Sequence, residues 1–204
     1  MGDVAASSSG ATTDGAMLYR SIQGVTLPDV PGALESWGQP ESLARMMRAY
    51  FTVAENCAAR MVRVRWTGRN RPTIFLTWPS VVMIGMDEAT FESSADRRAI
   101  HAAVTGGLLV MPRAQPHLVI ALERRPEGVH ASVDLLDYQP RFGDSAVVRW
   151  VYRHTQVPVH VVVGRLYLRQ LRQEWRSLPP RTDNSQGEVV SEARSEMLAT
   201  GAPD

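Results

Sequence analysis

From Met61 the apolar residues take up a period of two, and as far as Tyr138 the chain allows itself only short links in which to turn. "MVRVRW" places Val62, Val64 and Trp66 on one face and Arg63 and Arg65 on the other, which is the period of a half-buried strand. "TIFLTW", "VVMIGM", "EATFES", "RAIHAAVTGGLLVM", "HLVIALER" and "GVHASVDLLDY" continue the run. The links are too short to hold crossover helices, so these strands must form an antiparallel meander. Pro126 and Gly128 in "RRPEG" set a hairpin turn. In the strand that follows, Val129, Ala131, Val133 and Leu135 face one way, and His130, Ser132 and Asp134 the other. The adjacent Gly106 and Gly107 predict a bend, a bulge or a close approach of backbone.

Helical spacing brackets the meander. Leu43, Met46, Met47, Tyr50, Phe51 and Ala54 form one apolar stripe, and Pro40 with Glu41 suits a helix start. Before that stripe "MLYRSIQGVTL" reads as a first strand, and "PDVPGALESWGQP" as a turn-rich stretch. After the meander Asp144 or Ser145 caps a helix beginning near Ala146. Val157, Val161, Gly164, Leu168, Leu171 and Trp175 keep the helical spacing, and Arg165, Arg169, Arg172 and Arg176 form a second stripe. Pro158 fits the first turn of a helix, with Thr155 as its cap, so a break or kink is expected near 155 to 158. The fold class is α+β: a curved antiparallel sheet of about six or seven strands, one helix before it and a long helix after it. Residues 1–16, small and polar, read as a disordered tail, 17–178 as a single domain, and 179–204 as a flexible acidic tail.

Composition excludes several chemistries. All 22 basic residues are Arg. Without a Lys there is no Schiff base, no pyridoxal-phosphate anchor and no P-loop Lys. The single Cys57 rules out an internal disulfide and a multi-Cys zinc site, and it reads as a buried, inert thiol. The formal charge of +1 gives no global field for nucleic acid. The N-terminus lacks the basic and apolar regions of a secretory signal, and no run is long enough to span a membrane. These features point to the cytoplasm of a bacterium, the bacterial origin resting on Arg-only composition. No cofactor and no metal is expected. Oligomeric state is left open.

Candidate chemistry is sparse. "FGDS" at 142–145 is similar to the nucleophile block of GDS-type esterases, but no Asp-x-x-His follows Ser145, and a helix cap accounts for it. His154 and His160, six apart, do not share a helical face, and His101, His117 and His130 sit on predicted strands whose register alone decides whether they meet. Asp134, Asp137, Tyr138 and Arg141 cluster at the end of the last strand, where Asp134, Tyr138 and Arg141 could line a cavity mouth. The Arg stripe of the last helix suits an anionic membrane surface or a protein partner, and equally a solvated face.

The order of elements, with the run from "MVRVRW" through "GVHASVDLLDYQP" and the final helix, resembles the helix-grip arrangement of the START/SRPBCC superfamily over residues 17–178. That resemblance implies a sheet wrapped around the last helix, with a cavity between them that takes lipids, polyketides or other small apolar ligands; some members are cyclases. It implies ligand-binding roles for Trp66, Trp78, Met83, Met111, Val161, Gly164, Leu168 and Leu171. Two short helices usually follow the first strand of that fold, and only one is clear here. A pleckstrin-homology arrangement, with one helix plugging a barrel and binding at its loops, is the alternative.

Overall fold

The computed structural model describes residues 5–13, 16–111, 115–139 and 146–178, with side chains placed for 20–111, 115–139 and 159–178. The chain begins with β1 (Ala5–Thr13) and β2 (Ala16–Leu27). Next come α1 (Ala33–Trp37) and α2 (Pro40–Cys57). The meander follows as β3 (Val62–Thr67), β4 (Arg71–Leu76), β5 (Val81–Met86), β6 (Thr90–Ser93), β7 (Arg97–Gly106), β8 (His117–Arg125) and β9 (Gly128–Tyr138). α3 (Ala146–Arg176) closes the fold.

All strand pairs are antiparallel, in the order β1-β2-β9-β8-β7-β5-β4-β3, with β6 paired to β7. The seven strands after α2 are those the alternation predicts. The differences lie before α2. Residues 5–13, expected to be a disordered tail, pair with β2 from Ala5↔Gly24 to Thr13↔Ala16. Small polar residues carry little strand propensity of their own, and it is the long neighbouring strand that supplies the hydrogen bonds. The Pro/Gly-rich stretch holds a second helix, α1, ended by the Gly38 N–H donating to Leu34 O at 2.8 Å. Two helices therefore precede the meander rather than one.

α2 starts at Pro40, whose missing N–H costs nothing in a first turn, and buries Leu43, Met46, Met47, Tyr50 and Phe51. Each such side chain contributes roughly 1.5–3 kcal/mol of burial. The stripe continues through Ala54 to Ala58, four residues on. Cys57 is turned about 100° from that line and is exposed, not buried. α3 runs without interruption through residues 155–158, so Pro158 lies inside the helix rather than opening a new one. The proline forfeits one hydrogen bond, at a cost of about 3 kcal/mol. The turns beyond it offset this by burying Val163, Tyr167, Leu168, Leu171 and Trp175.

α3 crosses the sheet beside α2 and lies on β2. Gly164 makes that approach possible: a Cβ there would stand 2.5 Å from the amide of Gln23 on β2. Trp175 locks the far end, packed on Trp37 at 5.4 Å with the ring planes tilted by 53°, and donating its Nε1–H to Pro28 O at 2.9 Å. Gly106 and Gly107 fulfil their sequence signal with φ of 147° and 128°, and a Cβ on Gly107 would overlap the Met83 carbonyl. Leu108 and Leu109 then donate to Val82 O and Met83 O at 3.1 and 3.2 Å. At the outer edge of the sheet, β3 carries exposed Arg63 and Arg65, and the carboxylate of Glu55 accepts the Val64 N–H at 2.5 Å.

Candidate ligand cavity

Between α2, α3 and the inner face of the sheet lies a cavity of about 300 Å³. α2 contributes Tyr50, Phe51, Ala54 and Ala58, residues of the one stripe it turns inward. α3 contributes Val159, His160 and Val163. The sheet adds Met83, Ile84 and Met86 from β5, where the register shift against β4 leaves Met83 as an extra residue between Val82 and Ile84 and lets the consecutive Met83 and Ile84 reach the same space. Among the described residues fourteen of the seventeen that line it are apolar, and none is Asp, Glu or Arg. Val159 is 48% exposed, so the cavity opens to solvent beside α3.

Three polar groups line this space. The Tyr138 hydroxyl donates to Leu109 O at 3.0 Å, which ties β9 to the segment after β7. His160 gives its backbone carbonyl to the Gln23 amide at 3.0 Å and sets its ring against Tyr138, with centroids 6.4 Å apart. The Tyr50 ring meets Tyr167 edge-on at 5.6 Å. Neither the Tyr50 hydroxyl nor the His160 ring nitrogens has a hydrogen-bond partner among the described residues. Burial, followed by the nearby Cys57, pushes the Tyr50 hydroxyl up to about 12. It also raises Tyr138 and holds His160 below the usual histidine range. All three groups are therefore neutral around pH 7, and the described wall of the cavity presents no charge.

The residues expected to contact a ligand lie in several places. Met83 lines the cavity. Trp66 instead packs on Phe51 at 5.6 Å beneath the Arg48 guanidinium. Trp78, 87% exposed, stands on the β4–β5 turn away from the core. Met111 follows the loop after β7 and donates its N–H to Gln139 O. Val161 is half-buried but not a wall residue, Gly164 faces Gln23, and Leu168 and Leu171 are spent on packing. The cavity meets α3 one to two turns earlier, at Val159, His160 and Val163.

Of the expected mouth residues, Tyr138 lines the cavity and Asp134 does not. Asp134 is on the opposite face of β9, accepting from the Ser132 hydroxyl at 3.3 Å, with burial raising its carboxyl. Simple alternation would put Tyr138 on that same face. A bulge reverses it: Asp137 takes φ 54°, and the pairing with β2 slips between Tyr19 and Ser21. Arg141 and Ser145 lie outside the described residues, and the His154 side chain is not placed. His101 binds Glu92 at 2.8 Å, while the His130 ring covers Gly24 on β2. No group of His, Cys, Asp and Glu among the described residues is arranged to hold a metal. Arg165, Arg169 and Arg176 are exposed, and Arg172 is half-buried and engaged. Tyr50 and His160 are the polar cavity groups the sequence reading did not assign there. Tyr50 was already on the buried stripe, and a hydroxyl on an apolar stripe is the signal that could have singled it out.

A curved antiparallel sheet gripping a C-terminal helix, with two helices inserted after the first long strand, makes this a helix-grip protein of the α+β class. The pleckstrin-homology alternative is set aside, because α1 and α2 separate β2 from the meander. No family model matches the chain, and no curated protein does. Solved structures similar to it include a STAR-related lipid transfer protein fragment from Xanthomonas axonopodis, at 15% identity and TM-score 0.42, covering 86% of this chain and 99% of that one. CalU16 from Micromonospora echinospora is similar at 9% identity and TM-score 0.33, covering 84% and 92%. An uncharacterised protein from Rhizobium leguminosarum is similar at 12% identity and TM-score 0.37, covering 81% and 99%. No helix among the described residues is long and apolar enough to cross a membrane.

Proposed function

We propose that the protein binds a small apolar ligand in the cavity between the sheet and α3. The observation that carries this is the cavity of about 300 Å³, apolar over most of its wall, open beside Val159 and, among the described residues, lined by no charged side chain. A space of this kind with a few convergent polar groups is the usual form of a small-molecule site. A cyclase-like step on the bound molecule would draw on His160, the one imidazole among the described wall residues. Native mass spectrometry of the purified protein, before and after extraction with organic solvent, tests the binding. We expect an adduct of small apolar mass that extraction removes. A single apo mass, together with no change in melting temperature on adding apolar compounds, would end this reading.

A second reading concerns the outer face of α3. Val159, Val162 and Leu166 are 48%, 49% and 43% exposed, and they are interleaved with exposed Arg165, Arg169 and Arg176. Apolar residues between arginines on one helix face suit the interface of an anionic membrane. In this reading α3 rests on the bilayer and the cavity opens toward the lipid. Flotation with vesicles containing phosphatidylglycerol is expected to carry the wild type and to leave behind the R165E/R169E/R176E protein. Equal flotation of the two would remove the membrane role.

A further inference from the structure

Resting on the binding reading above, we infer that the ligand is a compact, uncharged molecule of about two fused six-membered rings. It carries a single hydrogen-bond-accepting oxygen at the end that meets Tyr50. It is not a long-chain lipid.

Size is the first constraint. An apolar protein cavity of about 150 Å³ accommodates one benzene. The cavity here, at about 300 Å³, is twice that and holds roughly two such rings. An extended acyl chain would leave most of its length outside. Shape agrees with size: Phe51, Tyr50 and Tyr138 supply ring faces and edges, and Met83 and Met86 supply adaptable thioethers that fit themselves around a flat body.

Charge is the second constraint. An ionised group entering this space would lose its hydration and find no counter-charge in the described wall. The ligand is therefore neutral when bound.

Polarity is the third constraint. Tyr138 already donates to Leu109 O, whereas the Tyr50 hydroxyl, on a wall residue, has no acceptor among the described residues. It is not sealed into the core, so its proton is available to an oxygen acceptor on a ligand in the cavity. Tyr50 also connects the site to the core: it is edge-on to Tyr167 and to Phe51, which fixes its ring and hence the direction of its hydroxyl.

Four probes separate these constraints in binding titrations of the full chain: 2-acetylnaphthalene, naphthalene, 2-naphthoate and palmitate. We expect 2-acetylnaphthalene to bind about tenfold more tightly than naphthalene, the worth of one buried hydrogen bond. We expect 2-naphthoate to be weaker than naphthalene and palmitate not to compete. In Y50F the advantage of the ketone over the hydrocarbon should vanish while naphthalene affinity is kept, which distinguishes loss of a hydrogen bond from loss of fold. Tight palmitate binding with weak bicyclic binding would overturn the size inference and leave the cavity reading standing. Equal affinity for ketone and hydrocarbon, or tighter naphthoate binding, would overturn the polarity or charge inference. Failure of all four, with no adduct in native mass spectrometry, would overturn the cavity reading itself.

Discussion

Replacing Trp175 by alanine is expected to lower the unfolding free energy by about 3–5 kcal/mol, the range for deleting a large buried aromatic side chain. The indole is completely buried. It holds three parts of the chain at one point: its own helix α3, the Trp37 ring of α1, and the Pro28 carbonyl just after β2. Alanine removes the ring contact and leaves that carbonyl without its donor. W175F keeps a ring against Trp37 and loses the N–H, so a smaller loss of roughly 1–3 kcal/mol is expected. Urea denaturation of the three proteins measures both steps. If W175A unfolded within 1 kcal/mol of the wild type, α3 would not be clamped at this end, and the cavity further along the helix would have no fixed wall.

The second large effect is on binding rather than stability. A54W is expected to weaken 2-acetylnaphthalene binding by about 100-fold, equivalent to about 2.7 kcal/mol. Ala54 is on α2, one turn beyond Tyr50, and lines the cavity. An indole there fills space that the ligand would otherwise use. Since the space is already open, the added atoms gain contacts rather than displace neighbours, and the melting temperature should hold or rise. Titration and a thermal melt on the same sample test both halves. Unchanged affinity would place the ligand elsewhere on the protein.

The meander was legible in the sequence because strands such as β3 are half-buried and alternate, and because the short links mark the turns, without knowledge of the partners. The α2 stripe and the glycine pair before Leu108 were readable for the same local reason. β1 was not, because its small polar residues gain their strand from pairing with β2. Tyr138 was expected near a cavity, but not by the right route. It reaches the inner face only through the bulge at Asp137, and a one-residue slip has no signature in an alternating pattern. On α3 the spacing identified the buried face correctly through Gly164, Leu168, Leu171 and Trp175. It could not say that this face is filled by packing while the empty space lies at Val159, His160 and Val163. Periodicity reports which residues avoid water. A cavity is where their neighbours fail to meet, and that depends on side chains far apart in the chain.

The edge strand β3 has a bearing on how this protein behaves when many copies crowd together. A bare strand edge is a template on which a second molecule can extend the sheet, and from there aggregation can spread. Here the Val64 amide, one of the groups such a newcomer would need, is already held by Glu55. A second copy approaching edge to edge would also bring its own Arg63 and Arg65 against the same pair. The carboxylate takes one position of the template and the arginines repel a copy of it, so both oppose growth on this side of the sheet.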